Sequence, residues 1–273
     1  MIIKLKERLP EWTRDMENVA YNTILTDDID SLLGCAIEKH LHGNTISQFY
    51  DFKAIYESQT DHELLGIDLA LHKGKSWCNH VVRIKKDDYV NPETANPNAV
   101  CMVARHNYTK KYAGSTALLM WSYYGLPLPK TDEGKILLLS IDSAHKGHYS
   151  DFREIHNKWL KALGFEELID LLNRKTKFDF EMVQSKYKLS SKIRLDENGR
   201  LVTRLPLNEI SELLKLNIEL PDEQFKLKQQ LIRGKADYGR PYMSKNQVKD
   251  LFSFALTYKN TMNYTTIKGG TEQ

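Results

Sequence analysis

Three short apolar runs in the N-terminal half of this chain each lead to an aspartate, and that pattern limits the fold more than any other feature. Ile24-Leu25 lead into Thr26-Asp27-Asp28-Ile29-Asp30-Ser31. Leu64–Leu69 carries Gly66-Ile67-Asp68, and Ile136–Ile141 runs straight into Asp142. Short apolar runs bounded by turn signals read as buried strands. The first is followed by a helical pattern over Ser31–His42, with Leu32, Leu33, Ala36, Ile37 and Leu41 on one side and Gly43-Asn44 ending it. Thr45–Tyr50 alternates well enough for a second strand. Strands alternating with helices argue for an α/β fold with a parallel sheet, whose sites gather outside the carboxyl ends of the strands. Asp28, Asp68 and Asp142 are therefore expected to converge, although far apart in sequence.

The remaining elements complete this picture. His80–Ile84 and Ala99–Ala104 read as strands, Asn91–Asn98 with its two Asn-Pro pairs as loop, and Ser115–Tyr124 as a helix stopped by Gly125 and Pro127. After residue 150 the chain is richer in Lys and Glu. Helices are expected over Phe152–Leu163, Phe165–Asn173, Leu207–Leu216 and Ser244–Thr257, with a hairpin turn at Glu197-Asn198-Gly199. The expected organisation is a parallel-sheet domain over residues 1–150 and a smaller α+β region over 151–273.

Composition narrows the function classes. The chain has 273 residues, 41% hydrophobic and 27% charged, enough for a full core. A net charge of +3 permits a nucleic-acid partner through a local patch without demanding one. Cys35, Cys78 and Cys101 form no CxxC pair or zinc pattern, which points to a reducing, cytoplasmic setting. No signal-peptide pattern and no apolar run near about 18 residues is present, so no membrane partner is expected.

The acidic run has two readings. In an extended segment Asp28 and Asp30 point the same way and form a hard oxygen site suited to Mn²⁺ or Mg²⁺. Alternatively the run is an acidic helix start, with Asp27 or Asp28 as N-cap and Asp30 in the first turn. Other candidates cluster nearby. His145 and His148 follow Asp142, Trp77 either packs or stacks a base, and Arg233–Arg240 mixes basic residues with Gly and Tyr.

Four segments in order resemble the DHH phosphoesterase superfamily. Asp28-Ile29-Asp30-Ser31 is similar to its D-x-D-[GS] motif, and Gly66-Ile67-Asp68 to its lone Asp after the next strand. Cys78-Asn79-His80 stands where D-H-H is expected, and Asp142 resembles the Asp that ends a later strand. Ala113-Gly114-Ser115-Thr116 is similar to the small-Ser-Thr segment that opens a helix between them. The resemblance covers roughly residues 20–150. It implies a Mn²⁺-dependent (or Mg²⁺-dependent) phosphoesterase that hydrolyses a nucleotide or single-stranded nucleic acid with metal-activated water. Carried over, Asp28, Asp30, Asp68, His80 and Asp142 are metal ligands, with His80 and Asp30 catalytic. Arg105, His106, Ser115 and Thr116 are expected to contact substrate. The second reading, favoured by Cys78-Asn79 in place of Asp-His, is a catalytically reduced DHH-fold protein that binds a nucleotide, nucleic acid or protein partner.

Overall fold

The computed structural model describes residues 1–15, 19–237 and 245–269. After a short helix α1 (Ile3–Lys6), the strands β1 (Tyr21–Leu25), β2 (Thr45–Tyr50), β3 (Ala54–Glu57), β4 (Glu63–Ile67), β5 (Ser76–Trp77) and β6 (Thr94–Ala95) follow, with α2 (Ile29–His42) between β1 and β2. Helices α3 (Pro97–Val100), α4 (Thr116–Tyr123), α5 (Asp132–Ser140), α6 (Arg153–Ala162), α7 (Glu166–Arg174) and α8 (Lys177–Lys186) come next. A small hairpin of β7 (Arg194–Leu195) and β8 (Leu201–Val202) leads to α9 (Leu207–Leu214). The chain ends in β9 (Lys226–Asp237), β10 (Leu251–Tyr258) and β11 (Thr261–Ile267).

The protein is α/β, built on one nine-stranded sheet in the order β10-β11-β9-β3-β2-β1-β4-β5-β6. β1 lies parallel to both β2 and β4, and β4, β5 and β6 continue parallel. β3, β9, β11 and β10 are added antiparallel, so the C-terminal strands extend the same sheet through the β3–β9 pair. β1 is buried along its whole length, as expected of a central strand covered on both faces. α2 packs its buried face, from Leu32 and Leu33 to Ile37, into the same core as Leu65, Ile67 and Leu118.

The sheet curls back on itself. Phe254 N donates to Ala70 O at 3.0 Å and Leu256 N to Val81 O at 2.8 Å, so β10 runs over the segments that leave β4 and β5. A second small core of Val81, Ile84, Val103, Phe254, Leu256 and Met262 seals that contact. The carboxyl edge of the parallel strands is thereby roofed by the C-terminal hairpin.

Five expected segments differ from those observed. His80–Ile84 is not a strand; the strand is Ser76–Trp77, and Val81 makes only a single bridge to Leu256. Asn91–Asn98 is not all loop and Ala99–Ala104 is not a strand. Thr94–Ala95 pairs with β5, and Asn96 caps α3 by accepting from Asn98 N and Ala99 N, with Pro97 at the first helical position. Ile136–Ile141 belongs largely to helix α5 rather than to a strand. Thr131 caps it, Asp132 and Glu133 occupy its first turn, and burial of Ile136–Ser140 leaves no periodicity to separate helix from strand. Leu251–Tyr258 is a strand, not a helix, because pairing with β11 and with the loops after β4 and β5 satisfies its backbone; Ser244 lies outside the described residues.

Candidate metal centre

The acidic run is built around the start of α2, not on an extended strand. β1 ends at Leu25, and Ser31 Oγ accepts from Thr26 N at 2.8 Å while donating to Ile67 O at 2.7 Å. That one hydroxyl ties the first turn of α2 to the end of β4. Asp28 is the N-cap, its Oδ1 accepting from Ser31 N at 3.4 Å. Asp27 does not cap; its Oδ1 lies 2.9 Å from Lys192 Nζ, which also lies 3.3 Å from Asp28 Oδ2. Asp30 sits in the first helical turn, fully buried, and its two oxygens accept from Thr116 N at 2.8 Å and Ala117 N at 2.7 Å. Those amides are free to donate because they open α4.

Asp68 follows β4 in the left-handed region (φ 53°), and its Oδ1 accepts from Thr116 Oγ1 at 2.6 Å. Asp142 follows α5 in the same conformation (φ 52°). Non-glycine residues there are uncommon, aspartate less so than most, and such strain clusters at functional sites. One carboxylate oxygen each from Asp30, Asp68 and Asp142 lies within 4.8 Å of the others.

Electrostatics make this trio demanding. Burial, then the charges of Asp68 and Asp142, push the Asp30 carboxyl well above the usual carboxylate range. Burial does the same to Asp68, reinforced by Asp142 and Asp28 and opposed by the Thr116 hydroxyl. Asp142 is pushed up to about 6 by burial and Asp28, with hydrogen bonds to Asp30 and Asn79 opposing. Carboxylates gathered in a low-dielectric site must hold protons or a cation. Three hard oxygens at this spacing suit a divalent ion.

His80 stands beside the trio, with Nδ1 3.7 Å from Asp68 Oδ1 and 3.4 Å from Cys78 Sγ. Surrounding atoms crowd the ring, yet 31% of its side chain faces the cavity, so it can reach a ligand. Burial and the Lys111 ammonium push its pKa down to about 4, leaving a neutral imidazole at pH 7. The turn that carries it is held by buried amides. Asn96 Nδ2 donates to His80 O at 2.8 Å, Asn98 Nδ2 to Asn79 O at 2.6 Å, and Asn79 Nδ2 to Gly114 O at 2.7 Å.

A cavity of about 220 Å³ opens over these groups. Asp28, Asp68, His80 and Asp142 form its floor; Arg233 of β9 and Asn263 and Tyr264 of β11 reach it from the roof. Comparison with family models, with curated proteins and with solved structures finds no match to this chain.

The expected site residues therefore separate. Asp30, Asp68 and Asp142 come together, with Asp28 and His80 at their side. Ser115 and Thr116 are buried and occupied otherwise than expected: Ser115 Oγ caps Leu118 N, and Thr116 binds Asp30 and Asp68. Thr116 positions two carboxylates, and Ser115 opens the helix whose amides hold Asp30. Arg105 and His106 lie on the 3-10 turn Arg105–Lys110, where Arg105 Nε donates to Asn260 Oδ1 at 2.9 Å. Neither lines the cavity. His145 is buried against Phe180 and His148 bonds Asn157, both away from the carboxylates. Trp77 is fully buried and packs against Trp12 and Tyr123. Of the basic stretch, Arg233 reaches the cavity, while residues 238–240 lie outside the described residues. Asn263 and Tyr264 carry no local signal, since only sheet curvature brings β11 there.

Proposed function

We propose that this protein is a Mn²⁺- or Mg²⁺-dependent phosphoesterase of DHH type acting on a nucleotide or single-stranded nucleic acid. The convergence of Asp30, Asp68 and Asp142 carries this reading: one carboxylate oxygen from each of three distant segments lies within 4.8 Å of the others, and the pKa of each is raised although the Lys192 ammonium opposes the rise at Asp68 and Asp142. Those three would hold the metal, with Asp28 and His80 adjacent. When bound, a divalent ion polarises a phosphoryl oxygen and lowers the pKa of a water.

The chain's own groups do the rest. The α4 amides orient Asp30, and the Thr116 hydroxyl orients Asp68. Arg233, opposite the carboxylates, offers a forked donor to phosphate oxygens. Neutral His80 offers a ring nitrogen beside Asp68 as a further ligand to the metal. Among the described residues no helix is long and apolar enough to cross a membrane. The unpaired cysteines Cys35, Cys78 and Cys101 are in keeping with a cytoplasmic setting.

A second reading is favoured by one observation. Asn79 occupies the place of a metal-binding His, and its amide is committed to Gly114 O and to Asp142. A site thinned in this way suits a protein that binds its ligand without cleaving it. Calorimetric titration with Mn²⁺, followed by phosphate or mononucleotide release from a substrate panel, separates the readings. Saturable Mn²⁺ binding with product release, both lost in Asp68→Asn, supports the enzyme. Binding without release supports the second reading, and no Mn²⁺ binding removes the metal centre altogether.

A further inference from the structure

A second cavity, of about 500 Å³, neighbours the first along the β10–β11 hairpin: Thr257 and Asn263 line the cavity over the carboxylates, and Tyr258 and Thr261 line this one with Lys111 and Gly114. Gly114 O receives the Asn79 amide, and the Lys111 ammonium is attracted by the Asp142 carboxylate. The walls are aromatic: Tyr108 on the 3-10 turn, Phe152 and Trp159 at α6, and Tyr258 at the end of β10. Trp159 is held in place, its Nε1 donating to Lys110 O at 3.0 Å and its ring meeting Tyr112 edge-on at 5.6 Å. Tyr108 is fixed by its hydroxyl on Thr257 O at 2.9 Å. By contrast Phe152 is 51% exposed and Tyr258 73% exposed. Large rings left in water around a concave site mark a surface that a ligand covers.

We propose that this cavity holds the base of a nucleotide whose phosphate faces Asp30, Asp68 and Asp142. The proposal rests on the phosphoesterase reading and adds where the substrate's aromatic part sits. A volume of about 500 Å³ falls within the range of small-molecule pockets. Rings from three elements make a stacking platform, and any base has a face to stack. Lys111, 4.7 Å above the Tyr108 ring and hydrogen-bonded to its hydroxyl at 3.1 Å, places a cation in the lining. Lys259 adds a second cation to the lining.

The test is calorimetry on the full chain, with and without Mn²⁺, using the four common nucleoside 5′-monophosphates and ribose 5-phosphate. Wild type is compared with Tyr258→Ser and Phe152→Ser, both at exposed positions, and circular dichroism checks their fold. At least one nucleotide should bind about tenfold more tightly than ribose 5-phosphate, and each variant should weaken it about fivefold while leaving ribose 5-phosphate unchanged. Failure of every nucleotide to bind, parity with ribose 5-phosphate, or unchanged affinity in both folded variants overturns the proposal. The two readings fail separately. Mn²⁺ binding with hydrolysis but no preference for a base removes the pocket and keeps the phosphoesterase. A base preference lost in Tyr258→Ser, in protein that binds no Mn²⁺, keeps the pocket and removes the phosphoesterase.

Discussion

Thr116 is the residue on which the geometry of the acid cluster turns, since its amide binds Asp30 and its hydroxyl binds Asp68. Thr116→Val keeps the shape and the amide but deletes the hydroxyl. Mn²⁺ affinity should fall roughly 10- to 100-fold, as for other groups that orient a ligand, and calorimetry reads this directly. Unchanged affinity would mean that Asp68 needs no such support. Glu38 gives a separate, metal-independent prediction. It is buried, accepting from Tyr124 OH at 2.8 Å and Asn44 Nδ2 at 3.0 Å, and burial outweighs these bonds to push its pKa up to about 7. The folded state therefore holds this proton more tightly than the unfolded chain. Between the unfolded carboxyl's titration and about pH 7, stability falls as pH rises, and above that it levels off. Glu38→Gln should remove this component, so the wild-type-minus-variant difference in denaturant stability should change by about 3 kcal/mol from pH 4.5 to 8. A difference flat across that range would contradict the assignment. The loaded metal site does not disturb the comparison, because both proteins share it.

At the scale of elements, close packing sets where the first acid lies. Gly34 is in mid-α2, and a Cβ there would come 2.4 Å from Ile67 Cγ2 and 3.0 Å from Met120 Sδ. α2 is thus pressed against both β4 and α4, the elements that carry Asp68 and the amides for Asp30. Glycine to alanine inside a helix ordinarily gains up to about 1 kcal/mol. Here the clash should dominate, so that Gly34→Ala destabilises by about 1–3 kcal/mol in thermal or denaturant unfolding. It should also loosen Mn²⁺ binding by shifting α2. Elements with local signals were legible in the sequence: β1, α2 and its Gly43 stop, β2, β4, α4 capped by Ser115, and the β7–β8 turn. Those that depend on partners were not. The part of α5 read as a strand, Ile136–Ser140, is buried throughout, so nothing in its order of residues separates it from a strand. β10 is a strand because β11 and the loops at Ala70 and Val81 pair with it. Ser76–Trp77 is too short to carry a pattern.

At the scale of the whole molecule, the proposed metal would couple to protons and to folding. Asp30, Asp68 and Asp142 all bind protons more readily in the metal-free fold than free carboxyls do. A divalent ion must displace those protons, so binding strengthens with pH. The rise in Tm on adding Mn²⁺ should therefore be small at pH 5 and grow toward pH 7.5 as Asp142, with its pKa of about 6, and its two neighbours give up their protons more readily. A Tm shift independent of pH would show that the ion does not bind at these carboxylates. The sequence by itself determined the alternation of strand and helix, an acidic helix start at Asp27 or Asp28 and the three acids that follow apolar runs. It did so because these are local: a cap, a period and a run length are written within a few consecutive residues. Only the tertiary structure decided that Asp30 closes on Asp68 and Asp142 with Asp28 beside them, and that Thr116 serves the carboxylates. It also decided that the C-terminal strands roof the cavity with Arg233, Asn263 and Tyr264. Those outcomes follow from which backbone groups were left without partners and from the curl of the sheet, and both are properties of the assembled chain.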